Sequence, residues 1–303
     1  MLASWQDILL EIQNTQFPNQ EDPLDLTIKK YINLLEDYTK RNVILYYSAF
    51  NEKPYAQNLS INDSDMEGFM NAVHFMDRSK GLDLILHTPG GDPHATESIV
   101  KYLRAMFKND IRVIVPHMAM SAGTMIACSA KEIVMGHQSS LGPIDPQFPG
   151  GIPAYNVKSE FEEAKEDLQN NPNTAQYWAI KLQQYPAAFM KSAIDAIELS
   201  NILIEEWLST NMFDPSEKEK VDRIVNFLNE HENSKTHSRH FDIETCKRIG
   251  LKILQLEDDN TLQDYVLSVH HSAIIALQSS AIEKMIRSVS KAFVSLSPEN
   301  MVN

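Results

Sequence analysis

The stretch LDLILHTPGGD, residues 82–92, sets a nearly continuous apolar run directly before a Pro-Gly-Gly turn. Such runs are typical of strands buried on both faces, as in a parallel sheet. The pattern recurs where IRVIVP, residues 111–116, leads into HMAMSAGTM, residues 117–125, with a single serine among small residues. Parallel strands end at one common edge of a sheet, so we expect the two turns to lie close together.

Further strands and helices extend this pattern on both sides. RNVILYYSAF (residues 41–50) and EIVM (132–135) read as buried strands, whereas segments near 94–108 and 121–130 read as helices. Strands that alternate with helices predict an α/β class with a parallel sheet, covered on both faces and joined by right-handed crossovers. Ligands of such sheets bind at the carboxyl ends of the strands, which is where both turns fall.

The remaining sequence is mostly helical. An amphipathic pattern at the start predicts an N-terminal helical extension over residues 1–40. We expect one main α/β domain over residues 41–260, with a helical insertion at about 157–230, and a C-terminal helix over 261–303. No internal repeat or low-complexity tract is visible.

Composition excludes several classes of function. The 27 basic and 41 acidic residues give a net charge of −14, which repels nucleic acids and anionic lipid surfaces. The two cysteines, Cys128 and Cys246, lie in apolar surroundings and suggest neither a disulfide framework nor a metal site. TPGGDPHA (88–95) lacks the dinucleotide-binding spacing, so no cofactor is expected. Without a basic leader or a run of about 20 apolar residues, we expect a cytoplasmic protein with no membrane span.

The two turns together suggest acyl transfer through a serine. That chemistry needs an exposed hydroxyl, a neighbouring base and backbone N–H donors for the developing oxyanion. Ser121 stands before a predicted helix, where the N–H of Ala122 lacks a helical acceptor, and Gly90 and Gly91 offer donors with no Cβ atoms in the way. Either motif alone is more often an ordinary turn or a helix cap, but their succession favours a catalytic site.

Four segments carry a resemblance to a known family. HTPGGD (87–92), VPHMAMSAGTMIAC (115–128), EIVMG (132–136) and SSLGPIDPQF (139–148) resemble the serine dehydrogenase proteinases. That family is a branch of the superfamily that contains the Clp protease subunit, signal peptide peptidase A and the crotonases. The similarity extends over most of residues 1–270.

This resemblance implies both a fold and an activity. The implied fold is the Clp protease/crotonase-like ββα superhelix, with helical additions at the N-terminus and the C-terminus. The implied activity is that of a serine endopeptidase that acts on peptide or protein substrates. Ser121 would be the nucleophile, and the backbone N–H groups of Gly91 and Ala122 would form the oxyanion hole, with Gly90 beside them.

The general base departs from the pattern of the Clp subunit, whose histidine lies in an Ile-His-Gln-Pro stretch. This chain has IDPQ there, so Asp145 stands in place of the histidine and is too weak a base at neutral pH. The late segment THSRHF (236–241) supplies His237 and His240. We therefore predict a rearranged triad of Ser121, His237 and Asp145, with imidazole as the base and the carboxylate as its orienting group.

Other residues stay open as alternatives for the base. Lys158 would serve a serine–lysine dyad of the signal peptide peptidase type, although its acidic surroundings favour the charged amine. His240 lies three positions after His237, and His87 and His117 flank the two turns.

Rival functions are an α/β-hydrolase esterase, a crotonase-type enzyme of acyl thioesters and a scaffold with a degenerate site. The esterase is disfavoured because its Gly-x-Ser-x-Gly elbow is AMSAG here, with Ala119 at the first position.

Assembly and partners are expected from the helical part. The predicted helix over 187–208 carries a large apolar face, which includes Ile194, Ile197, Ile204 and Trp207. Because relatives of this fold commonly bury their helical additions between subunits, we expect this face to lie between subunits of a homo-oligomer, most simply a trimer or a multiple of three. Any separate ATPase partner would be another chain, because no Walker motif occurs here.

Overall fold

A mixed sheet of seven strands forms the centre of the part of the chain that the computed structural model describes, which is residues 4–14, 22–229 and 236–296. The strands of this sheet are β1 (Asn42–Ser48), β2 (Leu82–His87), β3 (Ile111–Val115), β5 (Glu132–Met135), β9 (Ile253–Gln255), β10 (Ile282–Arg287) and β11 (Ala292–Leu296). Their spatial order is β11-β10-β1-β2-β3-β5-β9. Two smaller pairs join β4 (Met118–Ala119) to β6 (Ser140–Leu141), and β7 (Gln147–Phe148) to β8 (Ile152–Pro153).

Helices cover both faces of this sheet. They are α1 (Trp5–Asn14), α2 (Pro23–Thr39), α3 (Asp65–Val73), α4 (Pro93–Phe107), α5 (Ala122–Cys128), α6 (Ala154–Asn170), α7 (Ala175–Leu182), α8 (Phe189–Trp207), α9 (Lys218–Asn229), α10 (Ile243–Ile249) and α11 (Asn260–Ser279). Side chains alternate along β1, so that Ile44 packs with α4 and α5 on one face, while Val43 and Leu45 pack with α2 and α11 on the other. Burial on both faces explains why these strands read as continuous apolar runs.

The parallel part of the sheet brings the two predicted turns together. β1, β2, β3, β5 and β9 pair in parallel in their order along the chain, and the long connection from β5 to β9 contains the helical insertion. Beyond β2, Thr88 pairs with Ala119 of the segment that follows β3: the Thr88 N–H donates to the Met118 carbonyl at 3.1 Å, and the Met120 N–H to the Thr88 carbonyl at 3.0 Å. The α/β class with a parallel sheet is thus confirmed.

The predicted C-terminal helix is wrong beyond Ser279. The structure ends α11 there and forms β10 and β11, which add to the sheet in antiparallel order beside β1. In the structure Lys284 is buried and forms an ion pair of 2.5 Å with Asp65, while Arg287 lies 2.7 Å from Asp25.

The apolar face of α8 is covered within the chain. Ile204 and Trp207 are buried in the main core, and Ile197 packs into a smaller cluster with α6. The apolar excess that suggested a subunit interface is therefore explained largely by packing of the insertion onto its own domain. Among the described helices, none combines the length and the apolar character that a bilayer crossing requires.

Candidate active site

Ser121 sits in a strained turn between β4 and α5. Its backbone has φ 51° and ψ −118°, a region that residues other than glycine rarely adopt. Such strain concentrates at functional sites, where the surrounding structure maintains it. The Ser121 side chain makes no capping hydrogen bond to α5, so the ordinary role of a serine before a helix does not account for it. The Ala122 N–H opens the first turn of α5, where no helical acceptor exists.

Gly90 gives the serine turn room to pack against the glycine turn. A Cβ atom at Gly90 would lie 2.7 Å from the Ser121 Cβ and 2.7 Å from the Met120 carbonyl oxygen. The residue also has φ +100°, which favours glycine.

Gly91 is braced by Ile61 from the opposite side. The Ile61 N–H donates to the Gly90 carbonyl at 2.8 Å, and the Asp92 N–H donates to the Ile61 carbonyl at 2.9 Å. In this parallel bridge the Gly90 carbonyl and the Asp92 N–H face Ile61. The Gly91 N–H therefore points away from Ile61. A Cβ atom at Gly91 would lie 2.3 Å from the Ile61 nitrogen.

Asp145 and His237 form a hydrogen-bonded pair. His237 Nδ1 lies 2.8 Å from Asp145 Oδ1, and the Gln147 Nε2 donates to Asp145 Oδ2 at 2.7 Å. The Asp145 side chain is fully buried, whereas that of His237 is 29% exposed. Where the carboxylate is ionised and the imidazole neutral, this contact requires the ring proton on Nδ1 and leaves Nε2 as an acceptor.

One backbone bridge and one contact to a side chain connect this pair to the serine turn. Leu141 and Phe241 form an antiparallel bridge, with N–H to carbonyl distances of 3.0 and 2.8 Å. Thr124 of α5 accepts the Gly142 N–H at its Oγ1, 2.9 Å away. The segment that leads to Asp145 is therefore fixed to the helix that follows Ser121.

A cavity of about 1010 Å³ joins these elements. Its lining includes Gly90, Gly91, Ser121, Ala122 and His237, and the rest of the wall contains apolar and polar residues in similar numbers. Residues that sequence reasoning missed are Met125, Ile144, Gln147, Phe148, Ser192, Asp195, Ala196, Leu199 and Ser200. A signal existed for the hairpin of β7 and β8, because Gly150 and Gly151 interrupt an otherwise extended segment.

The alternative bases lie elsewhere. Among the residues that the structure describes, Lys158, His240, His87 and His117 are all missing from the lining of this cavity. Lys158 is 41% exposed and 3.8 Å from Glu162, and His240 Nδ1 lies 2.9 Å from Ser140 Oγ. His87 packs on the opposite face of the sheet, against Tyr47.

Comparison with protein families gives one match over most of the chain. The family of ClpP-like SDH-type serine proteinases matches residues 49–266. Two curated proteins of Methanocaldococcus jannaschii, both uncharacterised, are also similar. One is 31% identical over 202 residues, which is 66% of this chain and 62% of the relative; the other is 36% identical over 117 residues, 39% of each. The chain thus spans less than two thirds of the length of these relatives.

Two solved structures are similar at low sequence identity. A mutant of a membrane-bound stomatin-specific protease matches with a TM-score of 0.38 and 16% identity, over 68% of this chain and 79% of that one. A mutant of ClpP1 from Listeria monocytogenes matches with a TM-score of 0.37 and 14% identity, over 76% of this chain and 99% of that one.

Proposed function

Because the chain belongs to the ClpP-like SDH-type serine proteinases, with a Clp-protease-like fold, we propose that it is a serine endopeptidase whose nucleophile is Ser121. One observation carries the proposal above all others. The hydrogen-bonded pair of His237 and Asp145 opens onto the same cavity as the strained serine turn and the glycine turn. These residues would supply a nucleophile, a base with an orienting carboxylate and a source of backbone donors around one space.

In the proposed reaction, the peptide carbonyl of the substrate lies beside Ser121. His237 Nε2 takes the hydroxyl proton as Oγ attacks the carbonyl carbon, and the imidazolium that forms is stabilised by Asp145 through the Nδ1–H. The C–N bond then breaks, and the leaving amine receives the proton from His237. Water repeats the sequence on the acyl-enzyme: His237 removes its proton, the hydroxide adds to the ester carbonyl, and Ser121 is released with a proton returned by His237.

The Gly91 and Ala122 N–H groups form the proposed oxyanion hole. The Ile61 bridge directs the Gly91 N–H away from its neighbour strand, and the Ala122 N–H is free of a helical acceptor. Donors fixed in advance of the reaction need no reorganisation when charge develops, and the loss of one costs roughly 10²–10³ in turnover in a well-studied protease. Gly90 contributes through its lack of a side chain, which lets the serine turn pack against the glycine turn.

Hydrolysis of a fluorescence-quenched peptide mixture tests the proposal. The wild-type chain is expected to cleave peptides internally, and Ser121→Ala to lower turnover by roughly 10⁴-fold or more. Ser98→Ala is the matched control, because Ser98 is exposed on α4 and lies outside the cavity. If the peptides stay intact while an ester or an acyl thioester is cleaved, the fold performs other acyl chemistry. If peptides, esters and acyl thioesters all stay intact, the site is degenerate.

A further inference from the structure

A second cavity, of about 510 Å³, lies beside the first. Aromatic and aliphatic side chains dominate its lining, including Phe148, Ile152, Tyr185 and Phe189. The ring centroids of Phe148 and Phe189 are 4.4 Å apart, and those of Tyr185 and Phe189 are 5.5 Å apart. Ile152 is 42% exposed at the rim, so the cavity is an apolar surface open to an incoming group.

The β7–β8 hairpin is a wall common to both cavities. Gln147 pairs with Pro153, and Phe148 pairs with Ile152. Successive side chains of a strand point to opposite faces: Gln147 and Pro153 line the first cavity, and Ile152 lines the second. Phe148 lines both. The second cavity therefore continues the first.

One face of α8 runs along the same path. Phe189 lines the second cavity, whereas Ser192, Ala196 and Leu199 line the first. These positions follow one another at spacings of three and four residues, which place them on one face of a helix. The rise from Phe189 to Leu199 is about 15 Å at 1.5 Å per residue. An extended peptide covers that distance in roughly four to five residues.

The electrostatics of the second cavity suit an uncharged group. Its charged lining residues, among those described, are Glu160 and Lys181, which pair with each other at 2.5 Å. Glu160 also accepts the hydroxyl of Tyr185. Neither charge is left to attract an ionised side chain, and the aromatic walls favour burial of apolar surface.

We propose that the second cavity is a distal subsite for an aliphatic or aromatic side chain of the substrate polypeptide. The substrate residue that carries this side chain is four to five positions along the polypeptide from the substrate residue that packs beside Leu199. This inference rests on the proposed peptidase function, because it identifies the substrate class of the same groove. It makes the enzyme selective for unfolded segments that carry two spaced apolar residues.

Binding to the Ser121→Ala protein tests the subsite without the need for turnover. The probes are fluorescein-labelled peptides built from twelve glycine and serine residues. Each peptide also carries one leucine and one phenylalanine, and the phenylalanine is placed two to seven positions before or after the leucine. Fluorescence anisotropy is expected to show the tightest binding at a separation of four or five. That peptide should bind at least about tenfold more tightly than its counterpart with serine in place of phenylalanine. A series without this maximum overturns the proposal.

A rim variant and a matched control locate the effect. Ile152→Asp is expected to abolish the tenfold advantage of the phenylalanine peptide and to leave binding of the serine peptide unchanged. Ile202 is 60% exposed on α8 and lines neither cavity. The Ile202→Asp variant should therefore bind both peptides as tightly as the Ser121→Ala protein does. The proposal is contradicted if the Ile152→Asp variant still binds the phenylalanine peptide more tightly than the serine peptide. It is also contradicted if this variant changes the oligomeric mass and not the peptide affinity. Failure of the proposed function appears separately, as a wild-type chain that binds these peptides without cleaving them.

Discussion

His237 Nδ1 lies 2.8 Å from Asp145 Oδ1, across a separation of 92 residues. The isolated antiparallel bridge between Leu141 and Phe241 brings the two segments together, and Asp145 and His237 follow and precede it by the same number of positions. The bridge and the side-chain contact together hold His237 at the wall of the cavity.

Replacement of His237 by alanine is expected to reduce kcat by at least about 100-fold, the usual effect of removing a general base. Asp145→Asn is expected to lower kcat substantially as well, because an amide that donates to Nδ1 leaves the wrong imidazole tautomer. Steady-state hydrolysis of a quenched peptide measures both effects.

His240→Ala and Lys158→Ala serve as controls and should retain turnover within about threefold, because neither residue lines the cavity. If Lys158→Ala abolished turnover while His237→Ala preserved it, a serine–lysine dyad would replace the triad.

Gly90→Ala is expected to slow inactivation by a fluorophosphonate by roughly 100-fold, because its Cβ atom would lie 2.7 Å from the Ser121 Cβ and displace the serine turn. Overpacking of this kind costs about 1–3 kcal/mol of unfolding free energy. Gly150→Ala is the matched control: its φ of +85° is also positive, but no atom lies within 4 Å of the added Cβ. Inactivation kinetics and urea unfolding compare the two, and a Gly90→Ala protein that reacts at the wild-type rate refutes the packing role.

The serine side of the candidate site could be predicted from local sequence, whereas the base side could not. Strand ends and glycine turns are short-range signals, and they indicated the meeting of Gly90, Gly91 and Ser121. The choice among His237, His240 and Lys158 depends on the register between Leu141 and Phe241, which local patterning does not encode. The resemblance suggested His237 as a chemically sensible partner, and its catalytic role stays a prediction.

The C-terminal strands escaped prediction because their charges are buried. Lys284 and Arg287 reach carboxylates of α3 and α2, respectively. Their partners, Asp65 and Asp25, lie far away in the sequence, so no local pattern indicates that these charges are buried. The parallel strands were predictable because a continuous apolar run indicates a buried strand without knowledge of the residues that it contacts.

Stability is expected to fall as the pH drops below about 6.5. Burial lowers the pKa of His87 to about 3, and burial also lowers the pKa values of His117 and His270. An unfolded histidine has a pKa near 6.5, so between about pH 6.5 and 3 the unfolded chain binds more protons than the folded one. The stability is therefore complete above this window and is lost progressively within it.

Thermal unfolding of His87→Leu from pH 7.5 to 4.5 measures this effect. The variant is expected to lose less Tm on acidification than the wild type, because one buried titrating group is gone. His74→Gln changes an exposed histidine and should follow the wild-type slope. Parallel Tm curves for His87→Leu and the wild type would exclude His87 as a source of the acid sensitivity.

Assembly into a homo-oligomer, most simply a trimer or a multiple of three, stays a prediction that rests on the family resemblance. The covered face of α8 no longer supports it, but Tyr177 and Ile180 are each about 60% exposed on the helical insertion. Light scattering at micromolar concentration should give a multiple of the 34.4 kDa chain mass. A strict monomer over the whole concentration range rules the prediction out.

The most direct test of the central claim is the mass-spectrometric location of a fluorophosphonate adduct. An activated serine reacts with this reagent as it would with a substrate carbonyl, whereas an ordinary surface serine does not. We expect a single adduct, on the peptide that contains Ser121, and none on the Ser121→Ala protein. An adduct on another serine of the cavity such as Ser238, or equal labelling of Ser121→Ala, would contradict the assignment of Ser121 as the nucleophile.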